Sequence, residues 1–148
     1  MVVSNSISQM YEEMKTWRQD LHRIPEIGLE EHETSKYIKS KLTEFNIEFK
    51  DGYANTGIIA HIKGSRGSSD KSIGLRADFD ALPMPEKNDF EHKSNNDGMM
   101  HACGHDGHTS MLLGAAKYLS ENNDFDGHVY FIFQPGEEGF AGGEKMIQ

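Results

Sequence analysis

The sequence predicts an α/β protein with a mostly parallel central sheet, and three observations lead to this prediction. First, a strand at residues 72–77, a helix after Asp106 and a strand at residues 129–133 follow one another in βαβ order. Second, residues 129–133 are an uninterrupted apolar run, as is typical of a strand buried on both faces of a parallel sheet. Third, helical spacing of apolar residues marks the first 45 positions.

Two helices are predicted before residue 46. In the first, apolar residues recur at alternating three- and four-residue steps, which makes one apolar face for packing. Pro25 and Gly28 end this helix. The second is expected at about residues 29–45. The inward positions are Ile7, Met10, Met14, Trp17, Leu21 and Ile24 in the first helix, and Tyr37, Ile38 and Leu42 in the second.

The remaining segments alternate between regular elements and polar connections. Residues 46–63 predict two short strands around Gly52, and residues 64–70 predict a polar turn. Residues 86–98 are polar and rich in asparagine, as expected of a surface segment. Asp106 is a candidate cap for the helix that follows it. The predicted inward positions of that helix are Met111, Leu112, Ala115, Ala116 and Leu119.

Composition and charge exclude several functions. The net charge is −9, with 15 basic residues scattered among 24 acidic ones, so we expect no nucleic-acid or anionic-membrane partner, since both need a basic surface. No segment approaches the ~20 apolar residues that cross a bilayer, and the first seven residues do not resemble a secretory signal. The single cysteine, Cys103, suits a reducing compartment. A one-domain, soluble, cytoplasmic protein is therefore expected.

Metal-binding side chains are concentrated at residues 101–108. Imidazole and thiolate are preferred zinc ligands and also suit other first-row metals. Cys103 and His105 are the stronger candidates, whereas His101 and His108 could instead support the ligands. The alternative is a polar loop whose histidines cap the helix or bond locally. Four further histidines are interpreted as ordinary surface residues: His22, His32, His61 and His92.

A pair of acids follows each strand of the βαβ unit. Asp78 and Asp80 follow the first strand, and Glu137 and Glu138 follow the second. Ligands of open α/β sheets bind outside the carboxyl ends of the strands, where both pairs lie. One carboxylate can bind a metal ion while its neighbour acts as a general base toward water. The alternatives are a capping aspartate and a solvated glutamate turn. Arg76 most simply pairs with one of these acids.

Three separated motifs carry a resemblance to a known family. They read Gly-Leu-Arg-Ala-Asp-Phe-Asp-Ala-Leu-Pro at 74–83, Met-His-Ala-Cys-Gly-His-Asp-Gly-His at 100–108 and Gln-Pro-Gly-Glu-Glu-Gly at 134–139. Together they resemble the M20 metallopeptidases, in the branch of hippurate hydrolases, N-acyl-amino-acid amidohydrolases and N-acetyldiaminopimelate deacetylases. Residues 17–28 look like the opening helix of that branch. The resemblance implies a zinc-exopeptidase-like three-layer sandwich, of which residues 1–148 would be the N-terminal part.

The resemblance also implies a centre of two divalent metal ions, which could be Zn, Mn, Co or Ni. Cys103, His105 and Glu138 match the family's metal ligands. Glu137 matches its general base, and Asp78 matches its supporting catalytic acid. Two further histidine ligands and a lid domain would lie beyond residue 148. The implied reaction is hydrolysis of the amide bond of a small N-acyl amino acid, by a parent protein that dimerises through its lid.

Two alternatives stay open. Cys103 could be a nucleophile activated by a histidine, in which case no metal ion would be required. The 148-residue chain could also be a catalytically incomplete metal-binding fragment of such an enzyme, and we expect it to be inactive by itself.

Overall fold

The computed structural model describes residues 5–148, which form alternating helices and strands around one sheet. The first four residues, part of the segment in which no secretory signal is expected, lie outside this range. In chain order the elements are α1 (Asn5–Gln9), α2 (Tyr11–Arg23), α3 (His32–Glu44), β1 (Glu48–Tyr53), β2 (Gly57–Lys63), β3 (Ser72–Asp78), α4 (His105–Glu121), β4 (His128–Gln134) and α5 (Gly142–Ile147). The predicted α/β class is confirmed. Within the described residues, no helix is both long and apolar enough to cross a membrane.

The four strands form one mixed sheet in the order β1-β2-β4-β3. β3 and β4 pair in parallel and are joined through α4, which confirms the predicted βαβ unit. β1 pairs with β2, and β2 with β4, in antiparallel register. In the parallel pair, Asp78 lies opposite Gln134, so the acids that follow the two strands emerge at the same edge of the sheet.

Helices α3 and α4 pack on one face of the sheet, α2 packs against α4, and together they enclose the core. Alternate residues of a strand point to the same face, which explains why every second position of β2 and β4 is buried there. The core residues from these elements are Trp17, Ile38, Leu42, Ile58, Ala60, Ile62, Leu112, Leu113, Ala116, Val129, Phe131 and Phe133. The expectation that residues 129–133 are buried on both faces is wrong for the described chain. Tyr130 points to the face that these helices leave open and is exposed.

Three local predictions also need correction. The first predicted helix is two helices, because the chain makes a turn at Met10, and Ile7 before it is exposed. Met111, predicted to point inward, is 59% exposed. The apolar residues of α4 cover more than one side of that helix, so their spacing does not define its buried face. Gly52 does not separate the first two strands but lies within β1 at an irregularity of the register, and the turn falls at residues 54–56.

The two edges of the described sheet differ in character. β1 exposes Glu48, Lys50 and Asp51, and its register with β2 shifts between Asp51 and Tyr53. Charges and bulges of this kind hinder pairing with a further strand. β3 forms the opposite edge and keeps an unbroken register with β4 from Ser72 to Asp78.

Candidate metal centre

Three chain segments meet at the edge of the sheet where β3 and β4 end. Asp78 is the last residue of β3, and His105 is the first residue of α4. Gly104 precedes this helix with a φ of 86°, a left-handed conformation that glycine adopts without strain. Glu137 and Glu138 lie in a turn at residues 137–139, just after β4. The fold therefore brings the sequence-predicted acids and the cysteine–histidine loop to one place.

The three predicted metal ligands lie together. Cys103, His105 and Glu138 each offer one donor atom, and these atoms lie within 4.8 Å of one another. A second group is formed by Asp78, His105 and His108, whose donor atoms also lie within 4.8 Å of one another. His105 belongs to both groups, so this residue is at the middle of the candidate centre.

The side chain of His105 is oriented by Asp80. Its Nδ1 atom lies 2.9 Å from the carbonyl oxygen and 3.1 Å from a carboxylate oxygen of Asp80, and both side chains are buried. These oxygens can only accept hydrogen bonds, so Nδ1 carries the proton and donates it. The lone pair of Nε2 is then free to bind a cation. A carboxylate that fixes a histidine in this way is typical of metal ligands.

The Nε2 atom of His105 faces three carboxylates. It lies 3.7 Å from Asp78, 3.7 Å from Glu138 and 3.9 Å from Glu137. Burial lowers the pKa of His105, but the hydrogen bond to Asp80 and the charges of Asp78 and Asp80 outweigh it, and the pKa is raised. The position therefore favours a positive charge.

Asp80 also holds the segment that follows β4. Its second carboxylate oxygen accepts a hydrogen bond of 2.8 Å from the backbone N–H of Glu138. Burial raises the pKa of Asp80, but hydrogen bonds from His105 and from backbone N–H groups of residues 137 and 138 outweigh it, so the pKa is lowered. One buried carboxylate thus connects two of the predicted ligands.

Asp78 has different contacts. It lies 2.9 Å from the Nη1 atom of Arg76, which confirms that Arg76 pairs with one of the strand-end acids. Its other oxygen lies 2.7 Å from Nδ1 of His108, whose side chain is about half exposed. Asp80, rather than Asp78, makes the close contact with the ring of His105.

The donor atoms fit a divalent metal ion. The Oε1 atom of Glu138 is buried and has no hydrogen-bond partner within residues 5–148. Burying a carboxylate oxygen without a partner is costly, and a cation would supply one. Sulfur, imidazole nitrogen and carboxylate oxygen together suit first-row metals such as zinc.

The surroundings of Cys103 do not favour a nucleophile. The contact with the Glu138 carboxylate is the largest cause that raises the pKa of the Cys103 thiol, followed by burial and by the charges of nearby acids. Nucleophilic cysteines need the opposite shift, toward a thiolate at neutral pH. A bound cation would favour the thiolate as a ligand.

His101 lies apart from both groups of donor atoms. It is 5% exposed, and neither ring nitrogen has a hydrogen-bond partner within the described chain. Burial lowers its pKa to about 4, so the ring is neutral near pH 7. Of the two histidines considered as supporting residues, only His108 contacts a residue of the centre directly.

Sequence reasoning missed two residues that hold this region in place. Glu31 is buried and accepts hydrogen bonds from the backbone N–H of Gly136, at 2.9 Å, and from the hydroxyl of Thr56, at 2.6 Å. It thereby fixes the backbone at Gly136, directly before Glu137. Glu86, assigned to a surface segment, has a buried side chain. No local pattern distinguishes either glutamate from a solvent-exposed one.

The interpretation of His22 as a surface residue is wrong, because it is only 5% exposed. Its two ring nitrogens lie 2.8 Å from Asp106 and 3.0 Å from Glu86. The prediction that Asp106 caps α4 is also wrong. The N-cap residue is Gly104, no side chain caps the helix there, and Asp106 bonds to His22 instead. His22 directly follows Leu21, a residue of the apolar face of α2, and this position is the one sequence signal of its burial. His32 is exposed, as predicted.

Cysteine, histidine and glutamate side chains at the carboxyl ends of the strands of an α/β sheet define a candidate metal centre. The model of Peptidase family M20/M25/M40 matches residues 74–148. The chain belongs to this family.

Relatives and solved structures agree with this assignment. The chain is 46% identical over 136 residues to a hippurate hydrolase of Campylobacter jejuni, covering 92% of this chain and 35% of the relative. It is 40% identical to an N-acyl-L-amino acid amidohydrolase of Geobacillus stearothermophilus, covering 99% and 41%. The Bacillus subtilis YXEP protein, described as a dinuclear metal binding peptidase of the M20 family, is 42% identical and superimposes with a TM-score of 0.89 over 95% of this chain and 39% of that one. The chain thus spans about two fifths or less of the length of these proteins.

Proposed function

We propose that this chain is the N-terminal part of the catalytic domain of a metal-dependent amidohydrolase that cleaves N-acyl amino acids into a carboxylic acid and an amino acid. The convergence of Cys103, His105 and Glu138 beside Glu137 is the observation that supports this most. Membership of the M20 family, with relatives named hippurate hydrolase and N-acyl-L-amino acid amidohydrolase, supports the amide substrate.

The proposed centre takes two divalent metal ions, Zn, Mn, Co or Ni. Cys103, His105 and Glu138 would hold them, together with histidines from a part of the protein beyond residue 148. When bound, such ions supply Lewis acidity that polarises a carbonyl group and lowers the pKa of water. The similar Bacillus subtilis protein is described as dinuclear, which supports the number of ions.

Glu137 is the proposed general base. Its carboxylate lies 3.9 Å from Nε2 of His105, and its side chain is 44% exposed, so it borders the centre and remains open to substrate and water. In the proposed reaction its carboxylate takes the proton of the attacking water and passes it to the nitrogen of the leaving amine. Asp78 is proposed to support catalysis as a nearby negative charge, held by Arg76.

A second candidate function applies to the 148-residue chain alone, as a metal-binding fragment without catalysis. The described residues bring together two groups of donors that share His105, so they do not by themselves supply two complete sets of ligands. We expect negligible amide hydrolysis by residues 1–148 and activity in the full-length protein. Dimerisation through a lid domain, and a location in the cytoplasm, stay predictions.

The test of the main proposal is Glu137→Gln in the full-length protein, with N-benzoylglycine as substrate. We expect kcat to fall by about 10²–10⁴-fold, the range for loss of a general base, while the metal content stays unchanged. Glu144→Gln, at an exposed position of α5, is the matched control. Normal turnover by the Glu137 variant would exclude this residue as the base.

A second experiment separates the metal mechanism from the cysteine mechanism. A chelator should abolish hydrolysis, and added Zn²⁺, Mn²⁺, Co²⁺ or Ni²⁺ should restore it. Activity that survives the chelator but is lost on alkylation of Cys103 would support the cysteine nucleophile instead.

A further inference from the structure

His22 connects three segments that are distant in the sequence. It lies on α2, and its two ring nitrogens contact a carboxylate on each side, Asp106 at 2.8 Å and Glu86 at 3.0 Å. The side chains of His22, Glu86 and Asp106 are 6%, 3% and 0% exposed, so water has little access to these contacts. Because a carboxylate can only accept, both nitrogens of the ring are placed as donors.

On the first side, the contact reaches the start of α4. Asp106 directly follows the candidate ligand His105, and its second oxygen accepts a hydrogen bond of 2.9 Å from the backbone N–H of Gly107. Arg18, one turn before His22 on α2, lies 3.4 Å from the oxygen of Asp106 that His22 contacts. The first turn of α4 is therefore tied to α2 by charged contacts.

On the other side, the contact holds residues 86–98. The second oxygen of Glu86 accepts a hydrogen bond of 2.6 Å from the backbone N–H of Ser94. The rings of Phe90 and His92 stack at 4.2 Å, and both lie edge-on to His22 at 5.6 and 5.8 Å between ring centroids. This segment leads directly into the loop that carries Cys103.

We propose that His22 is a positioning residue for the metal centre, which holds the start of α4 and residues 86–98 against α2 and so sets the geometry of Cys103 and His105. The proposal rests on the proposed function in one respect, the presence of metal ions at that centre. His22 touches no donor atom of the centre and acts through Asp106 and Glu86.

The charges of the three groups agree with this role. The hydrogen bond to Asp106 is the largest cause that raises the pKa of His22, and the bond to Glu86 acts in the same direction against burial. Burial raises the pKa of Glu86, but its hydrogen bonds from Asn88, His22 and Ser94 outweigh burial and lower it to about 2. These shifts favour a protonated His22 between two ionised carboxylates.

The test uses His22→Gln in the full-length protein, with His32→Gln as the matched control, because His32 is an exposed histidine whose ionic partner within the described chain is Glu30. Hydrogen exchange should become about 10-fold or more faster at the amides of Ser94 and Gly107, whose acceptors lose their charged partner. The affinity for Co²⁺ should fall about 10-fold, and the visible spectrum of bound Co²⁺, which reports the ligand geometry, should change. The control should match the unsubstituted protein in all three measurements.

Glu86→Gln is the second variant, since it removes one charge, keeps the side-chain shape and leaves His22 in place. It should change the Ser94 exchange and the Co²⁺ spectrum in the same direction. Faster exchange with an unchanged spectrum and affinity would overturn the proposal, because His22 would then stabilise the fold without positioning the centre. Unchanged exchange in both variants would also overturn it. If the unsubstituted protein binds no Co²⁺ and hydrolyses no N-acyl amino acid, the proposed function itself fails. That result differs from one in which the unsubstituted protein is active and the variants behave like it, which refutes only the role of His22.

Discussion

Replacement of Asp80 by asparagine tests how the candidate ligands are held. The two oxygens of Asp80 accept from different donors, the ring Nδ1–H of His105 and the backbone N–H of Glu138. Asparagine has nearly the same shape but only one acceptor oxygen. Its NH₂ group must therefore face one of the two donors, and at 1% exposure no water can compensate.

The magnitude follows from these contacts. Hydrogen bonds to charged groups contribute about 1.5–3 kcal/mol each, and an unsatisfied buried donor adds a desolvation cost. The Nδ1 atom of His105 keeps its contact of 2.9 Å with the backbone carbonyl of Asp80, which limits the loss. We expect Asp80→Asn to lower the free energy of unfolding by about 2–3 kcal/mol and the metal affinity by about 10–100-fold.

Urea unfolding of the metal-free protein and calorimetric titration with Zn²⁺ measure these two quantities separately. Asp97→Asn, at an exposed position, is the control and should change neither. If Asp80→Asn binds Zn²⁺ as tightly as the unsubstituted protein, Asp80 does not orient the ligands and the reasoning from its two hydrogen bonds is refuted.

Two further predictions concern a close approach and an ionic contact. A Cβ at Gly142 would clash with the carbonyl oxygen of Pro135, so Gly142→Ala must displace the chain between β4 and Glu137. We expect a loss of about 1–3 kcal/mol in urea unfolding and weaker Zn²⁺ binding. Gly74→Ala, whose Cβ would meet an ordinary contact at 3.4 Å, should be tolerated, and equal effects of the two would contradict this explanation. The pKa of Glu86 is lowered from 4.5 to about 2, so its contribution to stability is complete above pH 4.5 and is lost as the pH falls toward 2. The difference in unfolding free energy between the unsubstituted protein and Glu86→Gln should shrink over that range; a constant difference would show that the charge of Glu86 is not involved.

The parts of the fold that were predictable are those whose signal is local. Residues 72–77 and 129–133 were placed as strands within one residue of β3 and β4 at each end. The second of them is an apolar run bounded by polar residues, which marks a strand. The joining helix and the parallel pairing followed from the order of these elements. The antiparallel pairing of β2 with β4 did not, since an apolar run carries no information about its neighbour.

The same distinction holds for the candidate site. Cys103, His105 and the pair of Glu137 and Glu138 were candidates because they stand beside a strand end or a helix start, and such positions converge in α/β sheets. The choice of Glu138 as the ligand came from the resemblance to the M20 family. His22 was misassigned because its partner Asp106 lies 84 residues away. The residue pattern could not tell whether Asp78 or Asp80 orients His105. That role depends on which carboxylate oxygen lies close to the His105 ring in the folded chain.

The unequal edges of the sheet have a consequence for assembly. The charges and the irregular register of β1 hinder pairing at that edge, so β3 is the edge where a further strand can extend the sheet. The outer N–H and C=O groups of β3 have no strand partner among residues 5–148. In a preparation of the short chain the same row of groups is a template for other molecules, and Ile73 on it is exposed. Concentration-dependent association through β3, rather than loss of the fold, is then the expected difficulty in handling the 148-residue chain.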